Sequence, residues 1–233
     1  MERIDKIISE QTHYSRKEIK KLISQGTVYV NNEQVKKPET KYDENNITIK
    51  INGKEIQIKK HIYLLLNKPE GYVSTTDTRT EKTVLDLISD KYKNRELFPA
   101  GRLDKDTTGL MLITDDGQLA HNILSPKKHV KKIYEVTIDI SLTEEMVKGF
   151  KEGIKLNDGE CKSAILEITS EYTAKVTLVE GRYHQIKRMF GCFGAKVIKL
   201  HRISMGNLEL PKDLEKGKFR EATDDELDKI QEK

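Results

Sequence analysis

The sequence predicts an α+β protein, in which a small helical and β module precedes a mixed, largely antiparallel sheet with flanking helices. Three observations carry this. A short stripe of apolar residues at helical spacing lies near the start of the chain. Later apolar runs are strand-like and stop at Gly, Pro or Asn-Gly turn signals. Strands and helices then mix without the regular βαβ alternation of a parallel sheet. The boundary is expected around residues 55–62, giving units 1–58 and 61–233.

In the first unit, Ser15 and Glu18 stand at capping-box spacing, which satisfies two orphan N–H groups at a helix start. Ile19, Leu22 and Ile23 form the apolar stripe, and Gly26 is placed to end the helix. Arg16, Lys17, Lys20 and Lys21 fall opposite the stripe. Thr27–Val30 and Ile47–Ile51 read as strands, the second turning at Asn52-Gly53 into Glu55–Ile58. In the second unit, Ile62–Asn67, Leu110–Thr114, Ile133–Ile140, Ala174–Val179 and Lys196–Ile203 read as strands. Helices are expected after Gly117, over Thr143–Phe150 and over Gln185–Phe193.

Composition narrows the class. The 233 residues carry 42 Lys and Arg against 38 Asp and Glu, a formal charge of +4. That charge is uneven: +3 over residues 1–59, +4 over 60–207 and −3 over an acidic tail from 208. No apolar run approaches the roughly 20 residues of a membrane helix, and the start MERIDKIISE lacks a signal peptide's apolar stretch. Cys161 and Cys192 have no CxxC partner, so they read as small core residues. A soluble, reduced, cytoplasmic protein is the expectation.

Gly101-Arg102-Leu103-Asp104-Lys105-Asp106-Thr107-Thr108-Gly109-Leu110 lies just before a buried strand. It lacks the Lys-Ser/Thr of a phosphate loop and the alternating carboxylates of a calcium loop. On its own it is either an Asx-turn or a loop that exposes a carboxylate while Gly101 and Gly109 permit close approach.

Two resemblances sharpen these readings. From Arg3-Ile4-Asp5-Lys6 through Ser15–Ile19 to Gln25–Asn31, the first unit resembles the S4 RNA-binding domain, which presents basic residues to structured RNA. That implies RNA contact by Arg16, Lys17, Lys20 and Lys21. In the second unit, Gly-Arg-Leu-Asp with Thr107-x-Gly109-Leu110 resembles the signature of RsuA- and RluA-type pseudouridine synthases. Lys68-Pro69-x-Gly71-Tyr72 and Glu180-Gly181-Arg182-Tyr183-His184-Gln185-Ile186 match two further elements, in order, across 61–206.

Isomerising uridine breaks N1–C1′, turns the base and rejoins it through C5, with no electrons exchanged, so neither cofactor nor metal is expected. The resemblance implies Asp104 as nucleophile; attack at C1′, addition to C6 and assistance to elimination all remain open to it. It implies Tyr134 as the aromatic group that stacks on the flipped uracil and handles the C5 proton. It also implies a cation beside the nucleophile. Lys187 stands where relatives carry Arg, supplying the charge without the planar fork, and Arg188 takes the role if the helix is rotated. Arg102 is expected to contact RNA backbone, as are residues of Lys127–Lys132, and His184 is read as a hydrogen-bonding or RNA-contacting residue.

Leu97–Gly101, Ser125–His129 and Arg202–Gly206 look closest to the small-subunit group. The expected substrate is therefore 16S rRNA, at uridine 516 in the customary numbering, or a small-subunit assembly intermediate, met by a monomer. The alternatives are a 23S rRNA synthase of the large-subunit group and a non-catalytic RNA-binding assembly factor.

Overall fold

The computed structural model describes residues 1–77, 79–125 and 128–232. Two compact units emerge: Met1–Ile62 together with Ile88–Leu97, and Tyr63–Leu87 together with the chain from Phe98 onward.

In the first unit, helices α1 (Ile4–Gln11) and α2 (Arg16–Ser24) bury Ile4, Ile7, Ile8, Ile19 and Ile23 against short strands. Full burial of each such side chain is worth about 1.5–3 kcal/mol. Ser15 and Glu18 form the expected reciprocal capping box. At the other end the Thr27 and Gly26 N–H groups donate to the Leu22 and Ile23 carbonyls, a Schellman closure that needs the φ of +72° at Gly26. Strands β1 (Val28–Val30), β2 (Ile49–Ile51) and β3 (Lys54–Ile56) pair in the order β1-β2-β3. Asn52 and Gly53, with φ of 51° and 77°, make the two-residue turn between β2 and β3. All four basic residues of α2 are exposed.

The second unit is built on β4 (Tyr63–Lys68), β5 (Thr108–Thr114), β6 (Lys132–Ile138), β7 (Ile165–Ile168), β8 (Thr173–Leu178), β9 (Val197–Met205) and β10 (Phe219–Glu221). Their order across the sheet is β7-β8-β6-β9-β5-β4-β10, antiparallel apart from the pairing of β5 with β9. Helices α3 (Gly117–Leu124), α4 (Glu144–Glu152), α5 (Gln185–Gly191) and α6 (Asp224–Gln231) flank it. No helix among the described residues is long and apolar enough to cross a membrane.

One row of the sheet matters most. Lys68 pairs with Gly109, Gly109 with Arg202, and Arg202 with Tyr134, so these four residues lie abreast across β4, β5, β9 and β6. Gly109 makes the row possible. A Cβ there would lie 2.2 Å from the Arg202 carbonyl oxygen, and its φ is +106°.

Three expectations need correction. The acidic segment from residue 208 is not a tail: Leu208, Leu214, Leu227 and Ile230 lie in the core, and β10 pairs with β4. Cys161 is buried as expected, but Cys192 is exposed. Within the basic stretch 127–132, Lys127 lies outside the described residues, as does Pro126. Lys128, His129 and Lys131 are exposed, but Lys132 is only 6% exposed and cannot serve as a surface edge.

Candidate active site

The loop between Ala100 and Thr107 is fixed largely through its backbone. The fully buried Lys68 ammonium, at the end of β4, donates to the carbonyls of Asp104 at 3.0 Å and Thr107 at 2.7 Å. It also reaches those of Pro69 and Lys105 at 3.2 and 3.3 Å. Ser74 Oγ donates to the Leu103 carbonyl at 2.8 Å and accepts from the Leu103 N–H at 3.0 Å. The Gly71 N–H donates to the Lys105 carbonyl at 2.8 Å. The element Lys68-Pro69-x-Gly71-Tyr72 is thus a cradle for the Asp104 loop.

A second anchor sets α5. Gln185, 4% exposed, donates to the buried Glu180 carboxylate at 2.6 Å and accepts from the Arg182 N–H at 2.9 Å. This braces a turn in which His184 takes φ of +49°, a left-handed conformation costly for a residue with a Cβ. The Arg182 guanidinium donates to the Gly159 and Glu160 carbonyls. Glu180, Arg182 and Gln185 are therefore structural members of their motif, and they aim the first turn of α5 at the loop.

There Lys187 Nζ lies 3.1 Å from Asp104 Oδ2, and His184 Nε2 lies 3.4 Å from Oδ1. The Asp104 side chain thus faces partners on α5. Lys187 is shared: its distances to Asp106 Oδ1 and Oδ2 are 2.6 and 2.8 Å, shorter than that to Asp104. Burial works against the Lys187 charge, but its hydrogen bonds to Asp106 and Asp104 outweigh it and hold its pKa above the usual lysine value. Burial likewise opposes the charge of Asp106, and Lys187 overrides it to keep the carboxyl below its usual range. Arg188 points elsewhere, pairing with Asp158 and donating to the Tyr183 carbonyl at 3.1 Å.

These groups surround a cavity of about 520 Å³, within the range of small-ligand sites. Asp104, Lys187, His184 and the exposed Arg102 line it on the loop side, and Lys132, Tyr134 and Arg202 on the sheet side. Tyr134 is 8% exposed. Burial pushes the pKa of Lys132 down to about 8, with Arg202 adding repulsion. Burial does the same to Lys68, also to about 8, despite relief from Asp106 and Asp104. The structure thus gathers Asp104, Tyr134, Lys187 and Arg102 around one cavity. It leaves Arg188 on Asp158, and Arg16, Lys17, Lys20 and Lys21 belong to the first unit. Sequence reasoning missed Asp106 as the second holder of Lys187, and Arg202 as a cavity residue. Asp106 sits inside the Gly101–Leu110 motif and was legible there.

A carboxylate paired with a cation, beside a buried aromatic ring, suits an enzyme that rearranges a planar substrate without a redox step. Residues 61–191 match the family model for RNA pseudouridylate synthase, and residues 2–47 match that for the S4 domain. The chain belongs to the RNA pseudouridylate synthase family, isomerases that act on RNA, and it carries an S4 domain. An uncharacterized RNA pseudouridine synthase of Bacillus subtilis (strain 168), YtzG, is 38% identical over 230 residues, covering 97% of this chain and 96% of its own. The ribosomal small subunit pseudouridine synthase A of Haemophilus influenzae is 38% identical over 230 residues, covering 98% and 99%. A crystal structure of a pseudouridylate synthase aligns with a TM-score of 0.69 at 38% identity, over 99% of this chain and 100% of that one. Both resemblances read from the motifs therefore stand.

Proposed function

We propose that the protein isomerises one uridine of 16S rRNA, uridine 516 in the customary numbering, with Asp104 as nucleophile. The observation that carries the chemical part is the Asp104 carboxylate, presented to the cavity and paired with Lys187 at 3.1 Å. In this reading Lys187 orients the Asp104 carboxylate as the nucleophile. Tyr134 stacks on the uracil and its hydroxyl handles the C5 proton. The target base is flipped out of its stack, with Arg102 on the RNA backbone at the cavity rim. The exposed basic face of α2 contacts structured RNA through phosphates. The small-subunit assignment is supported by the near full-length similarity to the Haemophilus influenzae enzyme of that name.

The test is tritium release from 16S rRNA, or from small-subunit assembly intermediates, labelled at uridine C5. Release is expected with the unmodified protein, and Asp104→Asn is expected to lower it by more than about 10³-fold while RNA binding survives. Release only from 23S rRNA would move the substrate to the large subunit. Tight binding with no release from any rRNA would instead mark a non-catalytic assembly factor. Mapping the modified position tests uridine 516.

A further inference from the structure

The motifs account for the loop side of the cavity but not for its floor. Arg202 is 2% exposed, one of the largest buried side chains, and it lines the cavity. Its guanidinium donates one hydrogen bond, from Nε to the Leu110 carbonyl at 2.7 Å. Its Nη2 is buried with no partner among the described residues. Lys132 is 6% exposed and donates to the Val130 carbonyl at 3.1 Å. The one acidic side chain among the described cavity-lining residues is Asp104, which already faces Lys187.

Burying an unpaired cation is costly, and leaving one of its donors unmet adds to the cost. Such a cost is sustained where a ligand supplies the missing acceptor and negative charge. Arg202 is directly opposite Tyr134 in the sheet, and side chains of such a pair stand about 4.5–5.5 Å apart at Cβ on one face. A base lying on the Tyr134 ring therefore presents its edge to the guanidinium.

We infer that Arg202, assisted by Lys132, is the group that receives a carbonyl oxygen of the uracil and carries the negative charge the base acquires during isomerisation. The inference rests on the pseudouridine synthase reading of this same cavity. In displacement at C1′, an Asp104 oxygen bonds C1′ as N1–C1′ breaks. The pair of the broken bond stays on the base, shared among N1, O2 and O4. The return step forms C5–C1′ and expels the carboxylate with its pair. The C5 proton then passes by way of the Tyr134 hydroxyl to solvent and N1 takes one up, so the balance is that of an isomerisation. Addition of Asp104 at C6 would put the same charge on O4. A fixed, buried guanidinium stabilises either anion. Because Arg only donates, contact at O4 also rejects cytosine, which carries an amino group there, whereas contact at O2, a carbonyl in both bases, does not discriminate.

The test uses the full chain with rRNA carrying uridine, 2-thiouridine or 4-thiouridine at the target, since sulfur is the poorer acceptor. Arg202→Met should lower kcat by about 10²–10³-fold with KM and RNA affinity unchanged, the range seen on losing one oxyanion donor. Arg202→Lys, which keeps the charge and folds more readily, should lose less. One thio substitution should slow the unmodified protein, and that penalty should vanish in Arg202→Met and shrink in Arg202→Lys. The assignment is overturned if the thio penalty persists undiminished in Arg202→Met, or if only KM or thermal stability changes. An unmodified protein inactive on every rRNA would instead sink the functional reading. Activity that Asp104→Asn abolishes and Arg202→Met spares would sink this assignment alone.

Discussion

Arg16, Lys17, Lys20 and Lys21 stand exposed along α2, whereas Lys68, Lys132 and Arg202 are at most 6% exposed, in or beside the cavity of the second unit. The formal charge counts all seven equally, yet their surroundings give them different physics. An exposed ammonium keeps its hydration and acts on a polyanion through a screened, sequence-blind attraction. A buried one has lost its hydration, so it must be repaid by particular oxygens at particular places. Lys68 finds its oxygens in the backbone of the Asp104 loop, and Arg202 finds too few within the protein. The first group suits binding. The second suits positioning and chemistry.

The largest test of this contrast is Lys68→Met. It removes the donor that holds the Asp104 and Thr107 carbonyls, leaving buried acceptors unmet. Urea unfolding should report a loss of about 2–4 kcal/mol, together with a collapse of kcat. A variant of normal stability and activity would show that the loop stands without its cradle.

Neutralising the α2 residues one at a time, as Arg16→Gln or Lys20→Gln, should behave oppositely. Stability should stay within about 0.5 kcal/mol. The slope of log affinity against log salt should flatten by about 0.7–0.9 for each phosphate that is no longer neutralised. An unchanged slope across all four positions would remove this helix face from the RNA interface.

The subtlest effect is in pH. The pKa values of Lys68 and Lys132 lie near 8, against an ordinary lysine value of 10.5. From about pH 8 upward the unfolded chain therefore binds more protons, and stability should rise. Tyr63 opposes this. Burial and its hydrogen bond to Asp116 raise its pKa, so the unfolded chain loses that proton first once pH passes the ordinary value of 10.0. The melting temperature should climb from pH 8 to about pH 10 and then turn down. Lys132→Met should flatten the climb, and a level profile in the unmodified protein would contradict the buried-charge picture.

Local features were the legible ones. The capping box at Ser15, the turn at Asn52-Gly53 and the strands beginning near Ile62 and Leu110 depend on neighbours in sequence, and the structure has them within a residue or two. Asp104 and Lys187 could be paired in advance because recurring motifs already encode that meeting. Arg202 could not. In the sequence it is one of two cationic residues in a mixed strand, with Lys199 three positions earlier, and its place under the cavity follows from pairing with Gly109, 93 positions earlier. The pairing of Phe219–Glu221 with Tyr63–Lys68 is equally remote, which is why an acidic composition concealed a strand and a core helix.

Ile88–Leu97 belongs to the compact unit of Met1–Ile62, where Asn94 donates to the Thr12 and Tyr14 carbonyls and Arg95 to that of Lys60. Neither unit is thus one uninterrupted stretch of polypeptide. A fragment stopping at Ile62 lacks ten of its own residues, and one starting at Tyr63 carries those ten as orphans. Swapping the N-terminal module for that of a relative, by recombination or by design, therefore requires two cassettes to be exchanged together.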